Sequence, residues 1–266
     1  MPSPRTSPRA TPSPDLAAGP GSPPPPRWRA DLRRSVRLMA DFRQEQADPA
    51  RFYSALAADS VGQLSGYLDL AARTVLDVGG GPGYFRDAFE AAGATYWALD
   101  ADVGELSGLG SIPHGTVLGD GMNLPFRDGA FDLCYSSNVL EHVSRPWEMA
   151  DEMLRVTRPG GIAFISYTVW YGPWGGHETS PWHYLGGARA RRRYAVRHGH
   201  EPKNKYGESL FPVTVRDGIA WARRQQAGTV LDVIPRYNPS WSYGLTRVPG
   251  VRELATWNLV IVVRKA

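Results

Sequence analysis

Short apolar runs alternate with amphipathic stretches along most of the chain. The apolar runs predict seven strands, at 74–78, 95–99, 116–118, 131–136, 161–167, 230–235 and 259–263. Helices are predicted between them near 83–92, 145–157 and 214–227, with a short helical turn at 103–109. Apolar strands separated by amphipathic helices are typical of a mostly parallel sheet with helices on both faces. The pattern therefore predicts an α/β fold.

Three segments depart from this alternation. Residues 41–72 carry apolar side chains at helical spacing and are predicted to be helical. Residues 168–212 are rich in Trp, Tyr, Gly, His and Arg without clear periodicity, and residues 236–256 form a second long connection. Long connections inside a compact domain are usually functional or disordered. We therefore expect 168–212 to be a substrate-side insert that caps the carboxyl edge of the sheet.

The amino-terminal segment differs in composition from the rest. Residues 1–26 hold ten of the 23 prolines, and such a sequence buries too little apolar surface to order itself. No apolar stretch follows its charges, so it does not resemble a signal peptide. We predict a disordered Pro/Arg-rich tail over 1–38 and a single domain over 39–266. Met39 is a candidate start, with 1–38 as an upstream extension.

Charge and cysteine content restrict the class of protein. Residues 1–38 hold seven arginines against two aspartates, although the whole chain carries only +4, so the remainder is close to neutral. This argues against a nucleic-acid partner. No run of about 18 apolar residues predicts a membrane-spanning helix. Cys134, the single cysteine, lies in an apolar strand as a small core residue and fits a reducing compartment. We expect a cytoplasmic protein.

A glycine-rich loop follows the first predicted strand. The sequence Asp-Val-Gly-Gly-Gly-Pro-Gly occupies 77–83, where a strand–loop–helix junction brings backbone N–H groups close to a ligand. A dinucleotide fingerprint, G-x-G-x-x-G, requires a glycine at its sixth position. Counting from Gly79 that position is Tyr84, and counting from Gly81 it is Arg86. The loop therefore does not fit a nicotinamide or flavin site.

Further landmarks follow in order along the chain. Asp100 ends the second strand, where a carboxylate can accept both hydroxyls of a ribose. Asp120 begins Asp-Gly-Met-Asn-Leu-Pro-Phe after the third strand, Leu-Glu-His-Val occupies 140–143, and Arg-Pro-Gly-Gly occupies 158–161. Together with the glycine loop, these residues resemble class I S-adenosylmethionine-dependent methyltransferases. They are most similar to the quinone-biosynthesis-like subfamily, methyltransferase domain type 11, and to its actinobacterial members.

The resemblance implies a Rossmann-like sheet of order 3-2-1-4-5-7-6 with the last strand antiparallel, and S-adenosyl-L-methionine as cofactor. In this family the acidic residue at Asp120 accepts from the adenine amino group. Asn138 lies at the carboxyl end of the fourth strand, where open α/β sheets bind ligands. The predicted cofactor-binding residues are Asp77, Gly79, Gly81, Gly83, Asp100, Asp120, Gly121, Met122 and Asn138.

The sequence does not identify the acceptor of the methyl group. A hydroxyl acceptor needs a proton acceptor, for which His142, His177 and Glu178 are the catalytic candidates, whereas a carboxylate acceptor needs none. No Cys/His cluster has zinc spacing, so no metal is predicted, although His177, Glu178 and His183 are potential ligands or bases.

The basic run at 189–205 is either a solvated face or a site for a phosphate, a carboxylated substrate or an anionic membrane surface. By analogy with the actinobacterial members, we expect O-methylation of an envelope lipid or glycolipid, with peripheral contact at the inner face of the membrane. A small-molecule methyltransferase of quinone or secondary metabolism and a non-enzymatic cofactor-binding module are the alternatives. A nucleic-acid methyltransferase is disfavoured because Ser-Asn-Val-Leu stands at 137–140 in place of Asn/Asp-Pro-Pro-Tyr.

Overall fold

A computed structural model describes residues 30–42, 48–106 and 113–266. Its strands are β1 (Thr74–Val78), β2 (Thr95–Asp100), β3 (Thr116–Leu118), β4 (Phe131–Ser137), β5 (Thr157–Thr168), β6 (Gly228–Pro235) and β7 (Asn258–Lys265). They form one seven-stranded sheet in the order β3-β2-β1-β4-β5-β7-β6. β7 is antiparallel to both of its neighbours, and the other pairs are parallel. The fold class and strand order predicted from the sequence are confirmed.

Helices cover both faces of the sheet. One hydrophobic cluster includes Met149, Met153 and Trp221, and the other includes Leu56 and Phe89. The helices of the described residues are α1 (Leu32–Phe42), α2 (Pro49–Leu64), α3 (Arg86–Ala91), α4 (Val103–Leu106), α5 (Pro146–Val156), α6 (Gly187–His198), α7 (Val215–Arg224) and α8 (Val251–Ala255). The first cluster packs under α5 and α7, and the second under α2 and α3.

Several strands extend beyond their apolar runs. β5 begins at Thr157 rather than at 161, because Thr157 pairs with Phe131 before a shift in register. β7 continues to Lys265, and Arg264 still pairs with Ile162. The backbone pairing thus continues where the side chains become polar, which hydrophobicity alone does not predict.

The helix predicted over 41–72 is interrupted. α1 ends at Phe42, residues 43–47 lie outside the described residues, and α2 occupies Pro49–Leu64. The Asp48 side chain accepts from the backbone N–H of Arg51, and Pro49 occupies the first turn. A capping aspartate followed by proline starts a helix for local reasons. The predicted turn at 103–109 is α4, and residues 107–112 are not described.

The expected tail over 1–38 needs correction at its carboxyl end. Residues 1–29 lie outside the described residues, but Leu32 to Leu38 form most of α1. Nε and Nη2 of Arg34 each donate to the Asp59 carboxylate at 2.6 Å, and Nη1 donates to the Arg236 carbonyl at 2.8 Å. The side chains of Arg34 and Asp59 are both buried, and their paired hydrogen bonds hold α1 against α2. The predicted boundary at 38/39 therefore falls inside a helix.

The insert between β5 and α7 contacts the carboxyl edge of the sheet. It contains two 3-10 turns, His177–Thr179 and Trp182–Leu185, and then α6. The sequence did not predict α6, because five of its twelve residues are arginines and only Gly187 and Ala190 are buried. The Phe211 N–H donates to the Glu141 carbonyl at 2.8 Å, just beyond β4. The ring of Trp174 packs edge-on against Trp257, which precedes β7.

Among residues 30–42, 48–106 and 113–266, no helix has both the length and the apolar character needed to cross a bilayer.

Candidate cofactor and acceptor site

The loop after β1 has a backbone conformation that suits glycine. Gly79, Gly81 and Gly83 have φ of +82°, +51° and +93°, a region that other residues occupy at a cost. The Gly79 N–H donates to the Leu99 carbonyl at 2.7 Å, which fastens the loop to β2. A Cβ atom on Gly79 would collide with the Val139 side chain. The loop thus packs against the turn that follows β4.

Asp100, at the end of β2, holds the same loop from the other side. One carboxylate oxygen accepts from the Gly81 N–H and the other from the Asp102 N–H, both at 3.0 Å. A carboxylate offers about four lone-pair sites, so each oxygen retains capacity for one further donor. Asp100 is therefore a support of the loop as well as a candidate acceptor of ribose hydroxyls.

The segment after β3 adds a second carboxylate, which is more exposed than that of Asp100. Asp120 is exposed, and one of its oxygens accepts from the Met122 N–H at 2.8 Å. Gly121 packs closely, since a Cβ there would lie 3.2 Å from a methyl group of Val78. Met122 is half-buried against the core. Gly121 thus lies beside the end of β1, with Asp120 and Met122 next to it in the chain.

Asp77 lies on the buried side of the glycine loop rather than on its open side. The side chain is 2% exposed, and the Tyr96 hydroxyl donates to it at 2.5 Å. A Cβ on Gly80 would stand 3.2 Å from the Asp77 carboxyl carbon. Burial raises the pKa of Asp77 to about 7, although the Tyr96 hydrogen bond lowers it in part. Asp77 was predicted to bind the cofactor, and this geometry favours support of the loop over direct contact.

Asn138 stands where β4, β5 and β7 meet. Its φ is +57°, and its N–H donates to the Ser166 carbonyl at 2.9 Å. Its amide oxygen accepts from the Asn258 side chain at 2.6 Å, while its NH₂ group lies 3.5 Å from the Tyr237 hydroxyl. A strained, fully engaged asparagine at a sheet edge is a candidate functional position. It immediately precedes Val139, which touches Gly79.

A buried arginine under this edge was not predicted from the sequence. Arg236, just after β6, is fully buried, and four hydroxyl groups surround its guanidinium. They belong to Ser60, Tyr135, Ser137 and Ser166, at 2.6, 3.1, 2.6 and 2.8 Å. No sequence signal marked it, because these partners come from three elements, α2, β4 and β5. It places a positive charge beneath the residues that surround Asn138.

The catalytic candidates His142 and His177 are brought together. His142 ends the 3-10 turn Leu140–His142 after β4, and its ring centroid lies 5.0 Å from that of His177 in the insert. Nδ1 of His142 lies 2.7 Å from the Ser209 carbonyl, which can only accept, so Nδ1 carries the proton. Burial, with the nearby His142 and His183, lowers the pKa of His177 to about 3. The His177 imidazole is therefore neutral at neutral pH.

Glu178 and His183 occupy different surroundings. One oxygen of Glu178 accepts from the Asn204 amide at 2.9 Å, so Glu178 lies beside the histidine pair. His183 is 1% exposed and packs against the ring of Trp170, with ring centroids 5.3 Å apart. Glu178 thus remains beside the predicted catalytic group, whereas His183 is part of the insert's interior.

The residues around the loop fit S-adenosylmethionine. The space above Gly81 is open, since a Cβ there meets no atom within 4 Å. Asp100 accepts from the Gly81 N–H and keeps capacity for a further donor, and Asp120 adjoins Gly121, which packs against Val78 at the end of β1. An open glycine loop with two such carboxylates near it suits a ligand with ribose hydroxyls and an exocyclic amino group.

Comparison with known proteins gives the same result. The family described as "Methyltransferase domain" matches residues 76–165. An uncharacterized methyltransferase of Mycolicibacterium gilvum is 53% identical over 246 residues, covering 89% of this chain and 96% of its own.

Solved structures share the fold at low identity. The S-adenosylmethionine-dependent methyltransferase of Mesorhizobium loti is 16% identical with a TM-score of 0.53, covering 80% of this chain and 98% of its own. A geranyl diphosphate methyltransferase in complex with S-adenosylmethionine is 17% identical with a TM-score of 0.51, covering 89% of this chain and 92% of its own. The resemblance and cofactor predicted from the sequence are confirmed, and the chain belongs to the S-adenosylmethionine-dependent methyltransferases.

Proposed function

We propose that this methyltransferase acts on a hydroxyl group of a lipid or glycolipid of the cell envelope, while in peripheral contact with an anionic membrane. The observation that carries the proposal is an exposed surface of the insert that combines aromatic and aliphatic side chains with arginines. We call it the insert surface. It consists of Trp182, Tyr184, Leu185, Arg189, Arg192, Arg193, Val196 and Arg197, all exposed.

The arrangement of α6 supports this proposal. Arg189, Arg193 and Val196 recur at helical spacing on the side opposite the buried Gly187 and Ala190. The Arg193 guanidinium stacks over the Trp182 ring at 3.8 Å from its centroid. Tryptophan and arginine together suit a membrane interface, since both present apolar bodies with polar ends.

Two further features suit an anionic, amphipathic acceptor. Leu185 and Val196 are 64% and 83% exposed, which is a high exposure for aliphatic side chains. A shallow groove of about 520 Å³ follows the same helix and is lined by Ala188, Arg191, Arg192, Ala195, Val196, Glu201 and Tyr206. Arg191 is already paired with Glu201 and Glu208, so Arg192 is the exposed guanidinium of this groove.

The glycine loop, Asp100 and Asp120 would hold S-adenosylmethionine, which would supply an electrophilic methyl group. The protein's part is to hold the acceptor hydroxyl in line, exclude water and accept the proton that the hydroxyl loses. The candidates for proton acceptance are His142, His177 and Glu178, which meet where the insert contacts the turn after β4. We assign to Asn138 the role of bordering the methyl group, because it precedes Val139, the residue that contacts Gly79.

Sedimentation with lipid vesicles tests the membrane contact. We expect the protein to bind phosphatidylglycerol vesicles and to bind phosphatidylcholine vesicles weakly. Arg193→Glu should lower binding about 10-fold, because each basic residue near an anionic surface contributes about 1 kcal/mol. Arg223→Glu on α7 makes the same charge change outside the insert and should leave binding unchanged. Equal binding by both variants would contradict a role for the insert surface.

Methyl transfer itself tests the acceptor class. The protein is incubated with methyl-labelled S-adenosylmethionine and a fractionated cell extract, and we expect label in the organic-soluble lipid fraction. Alkali-stable label would identify an ether rather than a methyl ester. Label confined to water-soluble molecules would replace the lipid proposal with a small-molecule acceptor, and cofactor binding without transfer in any fraction would favour a binding module.

A further inference from the structure

Three side chains that can bind a metal meet between the sheet and the insert. Glu141 and His142 belong to the 3-10 turn after β4, and His177 begins the first 3-10 turn of the insert. One potential ligand atom from each lies within 4.8 Å of the other two. The ligands come from two separate segments, which explains why no motif with zinc spacing was visible in the sequence.

Two of these side chains have buried polar atoms without a partner among the described residues. Glu141 is 1% exposed, and its Oε1 accepts from the Thr168 N–H at 3.0 Å. Its Oε2 is buried and makes no hydrogen bond, and the same holds for Nε2 of His177. Buried polar atoms are nearly always satisfied, because leaving one unpaired costs about 1–3 kcal/mol. These two unpaired atoms therefore point to a ligand that both side chains bind.

The third side chain is oriented as a metal ligand would be. Nδ1 of His142 donates to the Ser209 carbonyl at 2.7 Å, which leaves the lone pair on Nε2 free to bind. A histidine that ligates a metal usually donates its other ring N–H to a carbonyl or carboxylate in this way. His177 has a φ of +47°, which few non-glycine residues adopt without a local reason.

We propose that Glu141, His142 and His177 bind a divalent transition-metal cation such as Zn²⁺. Two imidazoles and one carboxylate are the ligands of zinc sites that keep a fourth position open. Ligand atoms about 2.1 Å from a shared cation lie about 3.5 Å apart in tetrahedral geometry, so binding draws this cluster inward by about 1 Å. The His177 turn is connected to α6 through the insert, and such a displacement is small for a loop.

The cation would join the insert to the edge of the sheet. Its ligands come from the turn after β4 and from the insert, so binding fixes the insert over Asn138 and the glycine loop. With the lone pairs of both imidazoles on the cation, Glu178 is the remaining candidate to accept a proton. This last assignment rests on the proposed function, whereas the binding of the cation does not.

The test is titration of the full chain, treated with a chelator and then dialysed, with Co²⁺ as a coloured probe and with Zn²⁺ as competitor. We expect visible absorption bands that saturate at one Co²⁺ per chain and disappear when Zn²⁺ is added. Zn²⁺ should also raise the midpoint of thermal unfolding, since a ligand bound only to the folded state stabilises it.

Variants separate this site from other binding. His177→Gly removes one ligand and relaxes the backbone at the same time, so it should fold, and we expect Co²⁺ affinity to fall at least 100-fold. Glu141→Gln keeps the shape of the side chain and should weaken binding about 10-fold or more. Glu178→Gln and His200→Ala are controls that should bind normally.

Two results would overturn the proposal: wild-type protein that does not bind Co²⁺ with one-to-one saturation, or unchanged binding in both His177→Gly and Glu141→Gln. Methyl transfer is measured on the same samples. Transfer without metal binding would refute the cation site and leave the proposed function standing. Metal binding without transfer to any lipid would support the cation site and contradict the proposed function.

Discussion

Asp100 and Gly81 are joined by a hydrogen bond of 3.0 Å from the backbone N–H of the glycine to a carboxylate oxygen of the aspartate. The bond links the end of β2 to the loop that follows β1. These two strands are neighbours in the sheet, and their ends form two parts of the candidate cofactor site. The same carboxylate is the candidate acceptor of ribose hydroxyls. Its substitution therefore changes both the shape of the loop and the direct contact.

Asp100→Ala is expected to weaken the binding of S-adenosylmethionine by about 10- to 100-fold, because hydrogen bonds to a charged group contribute about 1.5–3 kcal/mol. Isothermal titration calorimetry measures the change. Asp87→Asn, an exposed carboxylate on α3, is the matched control and should bind normally. An affinity that is unchanged in Asp100→Ala would show that the cofactor lies elsewhere.

Substitutions at two glycines should distinguish the stability cost of backbone strain from the cost of a steric collision. In Gly81→Ala the added methyl group enters open space, so stability should fall only by the cost of φ +51°, about 1–2 kcal/mol, while cofactor affinity falls. Gly79→Ala adds a collision with Val139 and should lose more stability. Urea unfolding measures both effects. Val139→Ala in the Gly79→Ala background should recover part of the loss, and no recovery would contradict the contact.

Buried Asp77 should make stability depend on pH. Its pKa is raised from 3.8 to about 7 in the folded protein, so the folded state binds this proton more tightly than the unfolded chain. This contribution to stability is complete below about pH 3.8 and is lost as the pH rises to about 7. Asp77→Asn should therefore flatten the dependence of the unfolding free energy between about pH 4 and pH 7. An unchanged slope would exclude Asp77 as its source.

The ion pair between Arg34 and Asp59 should contribute strongly to stability. Arg34→Ala leaves the buried carboxylate of Asp59 without its main partner, and we expect a loss of about 3–5 kcal/mol in unfolding free energy. The double variant Arg34→Met/Asp59→Leu should lose less than the sum of the single variants. Additive losses in this cycle would contradict direct coupling. For the same reason, deletion of residues 1–38 should destabilise the domain.

The strands of the sheet were predictable because they are apolar. Their order was predictable because the motifs resemble those of class I methyltransferases. Each of the seven apolar runs lies within one of the strands β1 to β7, and Asp100 ends β2 while Asp120 follows β3, as expected. The helices α5 and α7 were also recognisable, since their apolar residues recur at helical spacing. These features depend on local sequence.

Features that depend on distant contacts were not predictable. Arg236 has no local signal, because its partners Ser60, Tyr135 and Ser166 belong to three different elements. α1 was assigned to a tail because Arg34 resembles a solvated charge until Asp59 is placed beside it. The cluster of Glu141 and His177 likewise exists only once the insert is folded over the sheet.

The position of β7 has a consequence for the order of assembly. β6 pairs with the sheet only through β7, which follows it in the chain and lies between it and β5. During synthesis, β6 therefore leaves the ribosome before the strand that it needs, and β5 has an open edge until β7 arrives. Unpaired strand edges promote association between chains. A chaperone that shields β5 and β6 during this interval would raise the yield of folded protein, and slower translation after Pro235 would lower it.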